Sequence, residues 1–268
     1  MTINYFPPNP IVINNYSTSS APWNWQVARG LVTGATSINV FAASDNVKTS
    51  ASMGGEQILW ESTGTTAYVY PTSAQQMNVK SSSATDTGTA QVLISGLGAT
   101  WNLLTETVTL NGTTDVTTTN SFLRINSIAI VTPATGQTSN VGLITVKNTA
   151  NTVTYAQITA TYGRSSMSLY SVPSGYTLYV SAINIYSGDA SGNAAYVNYS
   201  ARTVNNNVTP VNTITALNTT FGGNYQVIRT NPFPYTQKSD VQWLFSVNNG
   251  THSVGLILEG ILISNTAS

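Results

Sequence analysis

The chain has 268 residues, of which only 7% are charged, and nine basic and nine acidic side chains leave it without formal net charge. Globular proteins usually carry roughly 25% charged residues. With no basic run, a single histidine and no cysteine, the sequence excludes nucleic-acid binding through phosphate contacts and an ordinary zinc site.

The residue types that replace the missing charges predict an all-β fold. Threonine is β-branched and suits a pleated strand, while Asn, Ser and Gly favour turns. Lys and Glu, which are common on helix surfaces, are scarce. No stretch approaches ~20 consecutive apolar residues, so no membrane span is predicted. The start of the chain lacks the basic and apolar regions of a signal peptide, so none is expected.

Residues 1–25 are predicted to form an extended N-terminal arm. Four prolines, the last of which is Pro22, disfavour a helix and a central strand there. The segment is too apolar and aromatic for a solvated linker, so its side chains are expected to pack against the same chain or a neighbouring subunit. The predicted interface residues of the arm are Tyr5, Phe6, Ile11, Ile13, Tyr16, Trp23 and Trp25.

Residues 26–150 are predicted to form a β-sandwich domain, because short β-branched or aromatic segments alternate there with Gly, Asn, Ser or Pro. Val108 and Leu110 share one strand face with Glu106, and Asn111-Gly112 directly afterwards predicts a tight turn. The predicted strands are 31–41, 57–60, 67–70, 77–81, 90–97, 103–110, 122–131 and 141–147.

Residues 151–268 are predicted to form a second, jelly-roll-like β-sandwich domain. A polar Asn/Thr stretch at 148–152 suggests the boundary. The strand spacing of roughly 10–15 residues is typical of sandwiches and jelly rolls. The predicted strands are 153–158, 167–172, 177–186, 195–204, 211–217, 225–229, 241–247 and 254–263.

Three stretches resemble a family of β-rich virion structural proteins, of capsid decoration or coat type, from tailed phages of aquatic bacteria. The first lies in 81–124 and includes Val92-Leu93-Ile94-Ser95-Gly96-Leu97, Glu106 to Thr114 and Ser121-Phe122-Leu123-Arg124-Ile125. The second is Met167 to Thr177, which is close to an LMxIYTIPAGKT pattern but has Ser174 and Tyr176 where Ala and Lys are usual. The third is Lys238-Ser239-Asp240-Val241. The arm lies outside the resemblance, which covers most of 26–268.

This resemblance implies a virion component made in the host cytoplasm, without enzymatic activity or cofactor. We expect it to stabilise a bacteriophage particle as a decoration, cement or coat subunit, associating with copies of itself, as a trimer, and with other capsid proteins. A double jelly-roll major capsid protein, a tail or fibre component, and a surface adhesin that binds host carbohydrate stay open as alternatives.

The sequence offers little for catalysis. His252 follows Asn248-Asn249-Gly250 and is expected to be an exposed turn residue. Glycoside hydrolysis would need two carboxylates in one cleft. Asp86 and Asp189 lie in loops where calcium is conceivable, although no calcium-binding spacing accompanies them. The candidate carboxylates are scattered and are Asp45, Glu56, Glu61, Asp86, Glu106, Asp115, Asp189, Asp240 and Glu259.

Four tyrosines are candidates for an interface or a glycan-binding face, with packing in the core as the ordinary alternative. They are Tyr179, Tyr186, Tyr196 and Tyr199.

Overall fold

A computed structural model of the chain describes residues 22–189, 197–204 and 223–266. These residues form two short helices and fifteen strands, which confirms the all-β prediction. The helices are α1 (Trp23–Ala28) and α2 (Ser50–Met53). The strands are β1 (Ala35–Lys48), β2 (Gln57–Ile58), β3 (Met77–Ser81), β4 (Gln91–Leu97), β5 (Leu103–Thr109), β6 (Val116–Thr117), β7 (Arg124–Thr132), β8 (Ile144–Asn148), β9 (Thr154–Ile158), β10 (Leu169–Ser171), β11 (Tyr176–Asp189), β12 (Val197–Val204), β13 (Asn224–Tyr235), β14 (Asp240–Val247) and β15 (Thr251–Ser264).

The strands form four small antiparallel sheets. Sheet A has the order β1-β15-β11-β13, and sheet B has the order β10-β14-β12 with β2 paired to β14. Sheet C has the order β6-β3-β8-β9, and sheet D has the order β5-β4-β7.

Sheet B separates two hydrophobic cores. Trp243 and Phe245 of β14 contribute to the first core, together with the inward residues of sheet A. Leu244, between them, contributes to the second core with residues of sheets C and D, because successive side chains of a strand point to opposite faces. All eight residues of β14 are therefore buried.

The predicted boundary near residue 150 lies inside a sheet. Strands β8 and β9, on either side of it, pair with each other, and β1 near the start pairs with β15 near the end. Residues 148–152 form a tight turn, in which the side-chain oxygen of Asn148 accepts the amides of Thr152 and Val153. The polar composition therefore marks a hairpin turn, and segments 26–150 and 151–268 share sheets A, B and C.

Most strand predictions agree with the structure, and the prediction for β3 matches its bounds. Residues 67–70 are not a strand, whereas β6 was not predicted. Residues 211–217 lie outside the described part of the chain. The predicted turn at Asn111-Gly112 is confirmed, since Gly112 has φ 58° and the Thr114 amide bonds to the Asn111 carbonyl.

The end of the predicted arm is helical where it is described. Helix α1 begins after Pro22, whose carbonyl accepts the amides of Trp25 and Gln26, so its missing N–H costs nothing there. Trp23 and Trp25 are 47% and 64% exposed. The other predicted arm residues, Tyr5, Phe6, Ile11, Ile13 and Tyr16, lie outside the described residues.

Candidate functional site

The outward side of sheet A is a regular surface on which exposed apolar side chains recur. We call it the outer face and define it by four rows of paired residues. All sixteen are exposed or half-buried, and Glu259 is the one charged residue among them. The rows are Ala43–Gly255–Tyr186–Asn224, Phe41–Ile257–Asn184–Gln226, Asn39–Glu259–Ala182–Ile228 and Ser37–Ile261–Tyr179–Pro234.

Several side chains of the outer face are unusually accessible for their type. Ile228 is 71% exposed and Tyr186 is 42% exposed. Phe41 lies beneath the guanidinium of Arg164, with 4.2 Å between the Cζ atom and the ring centroid. An arginine on an aromatic ring is a pairing that recurs at protein interfaces.

The four candidate tyrosines separate into different environments. Tyr179 and Tyr186 lie at opposite ends of the outer face. Tyr199 points into the first core, where burial raises the pKa of its phenol far above the ordinary value. Tyr199 is therefore a core residue and not part of an exposed face. Tyr196 lies outside the described residues.

The three stretches that carry the family resemblance meet in one buried polar cluster. Arg124 from the first stretch donates from Nε to both carboxylate oxygens of Asp240, at 2.8 and 3.0 Å, and from Nη2 to Oδ2 at 2.9 Å. Ser171 from the second stretch donates its hydroxyl to Asp240 Oδ1. Asn126 then bonds the Ser171 amide and carbonyl. The cluster joins β7, β10 and β14, and so ties sheet D to sheet B.

Aromatic rings and carbonyls complete the environment of Arg124. Its Cζ atom lies 4.8 Å from the Tyr70 ring centroid and 4.9 Å from that of Trp101. Its Nη1 donates to the carbonyls of Pro71 and Leu123. Burial, with the nearby Asp240 carboxylate second, raises the pKa of Tyr70 well above its usual value. All three guanidinium nitrogens of Arg124 and both carboxylate oxygens of Asp240 are thus engaged within the protein, so the cluster holds β7, β10 and β14 together.

Two candidate carboxylates line one cavity. Asp45 and Glu61 face a space of about 280 Å³, together with Trp60, Tyr162 and several hydroxyl groups. Glu61 Oε1 accepts the Ser166 amide at 2.7 Å, whereas its buried Oε2 has no hydrogen-bond partner. Desolvation by burial raises the pKa of Glu61 to about 8 despite that bond. Glu61 is therefore mostly protonated at neutral pH.

Most of the other candidate carboxylates are occupied by structural contacts. Asp86 accepts the Ser81 hydroxyl and the amides of Val141 and Gly142, so its two oxygens hold these two segments together. Glu106 accepts the Thr119 and Asn120 amides.

Asp115 pairs with Lys80 at 3.2 Å, and Glu56 accepts the Ser200 hydroxyl. In the described part of the chain, no group of three or more His, Asp or Glu residues is arranged to hold a metal ion.

His252 corrects one prediction. It is 2% exposed and lies in β15, because the turn at Asn248–Gly250 ends just before this strand and the alternation of β15 points position 252 inward with Val254. Its Nε2 lies 3.1 Å from Asn249 Oδ1.

The sequence predicted individual members of these sites but not their neighbours. Arg124 and Asp240 are 116 residues apart, and no periodic pattern connects them. Asp45 and Glu61 were two of the scattered candidate carboxylates, and nothing in the sequence indicates that they share a cavity. The sequence predicted the outer face only in part. Strict alternation along the predicted strand 177–186 would place Tyr179 and Ile185 on the same face. A bulge between Val180 and Ala182 reverses the alternation, so that Tyr179 faces outward and Ile185 faces the core.

No family model and no curated protein matches the sequence. Of the helices in the described residues, none has the length and apolar character needed to cross a membrane.

Two solved structures of virus particles are weakly similar to the chain. The structure of T=1 particles derived from infectious bursal virus has 11% identity and a TM-score of 0.27, covering 88% of this chain and 71% of that one. The structure of the Gx strain of infectious bursal disease virus has 10% identity and a TM-score of 0.24, covering 87% and 70%. Similarity at these TM-scores does not establish a shared fold or role. The resemblance to tailed-phage proteins stays a prediction.

Proposed function

We propose that the chain is a non-catalytic structural subunit of a virus particle, and that it associates with copies of itself through the outer face of sheet A. The outer face is the observation that carries this proposal. Within the finer hypothesis from the sequence, the particle is a bacteriophage, the subunit is a decoration, cement or coat protein, and the oligomer is a trimer.

The size and chemistry of the outer face support association. With strands about 4.8 Å apart and rows about 6.8 Å apart, each residue covers about 33 Å², so sixteen residues cover roughly 500 Å². A surface of this size is comparable with the largest exposed apolar patch of a typical monomer, about 300 to 600 Å², which often has a function. Glu259 is its one charged residue, so few charges would lose water when two such faces meet.

The environments of the carboxylates support a non-catalytic role. A glycosidase needs an acid and a second carboxylate on either side of a bound sugar. Asp45 and Glu61 share a cavity, but the Oε2 atom of Glu61 is buried beneath its surface. With Oε1 held by the Ser166 amide and Oε2 buried, Glu61 is poorly placed to protonate a leaving group.

A carbohydrate-binding adhesin is the second candidate, because Tyr179 and Tyr186 present rings on the outer face. It differs from the leading proposal in one measurable way. Glycan binding that is lost in Tyr186→Ala while the oligomer stays intact would favour the adhesin.

The proposal is tested by placing a charge on the outer face. We expect Ile228→Lys and Tyr186→Lys to dissociate the purified oligomer, measured as mass in solution by light scattering, because each lysine would have to be buried without a partner.

Association of the unchanged chain should be nearly insensitive to NaCl up to 1 M, since there is little charge to screen.

Gln137→Lys is the matched control, since Gln137 is exposed in the loop between β7 and β8. It should leave the mass of the oligomer unchanged. A monomeric native chain, or an oligomer indifferent to both outer-face lysines, would contradict the proposal.

A further inference from the structure

Strand β1 has an open edge that borders a groove. It is an end strand of sheet A and pairs only with β15 among the described strands. The groove has a volume of about 400 Å³ and lies between residues 37–41 of β1 and the surface of sheet D. Its apolar lining includes Phe41, Leu103, Met167 and Tyr170.

The alternation of β1 shows which backbone groups face this groove. The Gly34 carbonyl accepts from Ser264, so even-numbered positions bond towards β15. The Phe41 carbonyl accepts from Met167, and the Ala43 amide and carbonyl bond the Ser166 hydroxyl, so odd-numbered positions face away from β15.

Ser37 and Asn39 precede Phe41 and Ala43, the positions at which this edge is covered. By the same alternation, their amides and carbonyls face the groove, and among the described residues these groups make no hydrogen bond. Two donors and two acceptors, two residues apart beside an apolar groove, are what a sheet presents to an added strand.

We propose that this groove is the docking site of residues 11–16 of this protein, Ile-Val-Ile-Asn-Asn-Tyr. The docked segment adds a strand to the edge of β1. Prolines at 7, 8, 10 and 22 lack an amide hydrogen, and the segment lies in the proline-free stretch between them. Ile11 and Ile13 fall on one face of such a strand and match the apolar lining of the groove.

Charge and reach both fit this occupant. Residues 1–21 contain no Asp, Glu, Lys or Arg, and the groove's charged lining residue, Arg164, already stacks on Phe41. The described chain starts at Pro22, and α1 then leads into β1 at Ala35. Helix α1 itself contacts β1, and the nine residues from Ile13 to Pro22 span up to about 30 Å when extended, so the segment can return to the edge of β1.

Hydrogen exchange in the full-length chain tests the docking. We expect the Ser37 and Asn39 amides to exchange at least about tenfold more slowly in the native chain than in the double variant Ile11→Asp with Ile13→Asp. The double variant Thr2→Asp with Asn4→Asp adds the same charge outside the segment and should keep the native rates. Because the substitutions lie in the arm, the cores of the fold are left intact.

A crosslink tests the contact directly, since the chain has no native cysteine. Asn39→Cys, combined in turn with a cysteine at 11, 12, 13 or 14, should form a disulfide on mild oxidation, whereas Ile228→Cys on β13 at the far edge of sheet A should not. A product of doubled mass means that a neighbouring copy supplies the strand, and one of unchanged mass means that the same copy does.

Both products support the docking, and the product of unchanged mass does so even if the outer face fails as an assembly surface. Exchange at Ser37 and Asn39 that is equally fast in the native chain and the Ile11/Ile13 variant, with no crosslink above the Ile228→Cys level, would overturn it.

Discussion

Asp240 and Arg124 show what a buried charge costs when its partner is removed. The side chain of Asp240 is fully buried, and it neutralises a guanidinium held between the rings of Tyr70 and Trp101. Replacing such a pair with apolar groups can be harmless, but removing one member leaves an uncompensated charge in a low dielectric. The pair therefore specifies how β7 and β14 meet, whatever its net contribution to stability.

We expect Asp240→Asn to lower the free energy of unfolding by about 3 to 5 kcal/mol, because Arg124 would stay buried without a counter-charge. Urea denaturation measures this loss. Asp115→Asn removes a partly exposed partner of Lys80 and should cost less than about 1 kcal/mol. Equal losses in the two variants would contradict the argument.

Glu61 gives the protein a pH dependence of defined sign. Its pKa is about 8 in the folded chain, where burial disfavours the carboxylate, and near 4.5 in the unfolded chain. Between these values the folded state holds a proton that the unfolded state has lost, so stability falls as the pH rises through this window. Below about 4.5 and above about 8 this group adds no slope.

Comparison with Glu61→Gln isolates the effect of this group. Relative to the native chain, the variant should become more stable from pH 5 to pH 8, by up to about 1.4 kcal/mol per pH unit. Thermal unfolding at several pH values measures the difference. A pH profile of Glu61→Gln that runs parallel to that of the native chain would argue against the buried acid.

At the scale of the element, Gly96 shows how two strands fit together. The register between β4 and β7 shifts between Ser95 and Gly96, and a Cβ atom built on Gly96 would lie 2.1 Å from the Arg124 carbonyl oxygen. The unpaired residue is Asn126 in β7, and the missing side chain of Gly96 leaves room for the β7 backbone at Arg124 next to this bulge.

Gly96→Ala should destabilise the protein by about 1 to 3 kcal/mol or more, because the backbone of β7 must move. The matched control is Gly188→Ala on β11, where the added atom would meet Ser253 at an ordinary 3.6 Å. Calorimetry should show a clear loss for the first variant and almost none for the second. A tolerated alanine at 96 would mean that β7 can shift without cost.

The sequence predicted individual elements well and their partners poorly. The Asn111-Gly112 turn and β3 follow from local residue chemistry, which a single stretch of chain contains. The pairing of β1 with β15 depends on residues more than 200 positions apart, which no local pattern records. The same reason explains the candidate sites, since Glu61 is unusual only because distant segments bury it.

At the scale of the whole molecule, the main architectural feature is that sheet B lies between the two hydrophobic cores and contributes side chains to both. Each core uses a different face of β14, so neither core is enclosed without it. The prediction placed two domains in succession along the chain, whereas strands from both predicted segments share sheets A, B and C. Loss of β14 would expose both cores at once, and unfolding of the described part is expected to be cooperative.

The pairing of β1 with β15 also has a consequence for biosynthesis. Residues 35–48 leave the ribosome long before residues 251–264, which form the central neighbour of β1 in sheet A. Domains usually fold as their residues emerge, but here the first core must wait until almost the whole described chain has been translated. A nascent chain therefore lacks a finished sheet A until its synthesis is nearly complete. Until then it cannot present the outer face, through which we propose that copies of the chain associate.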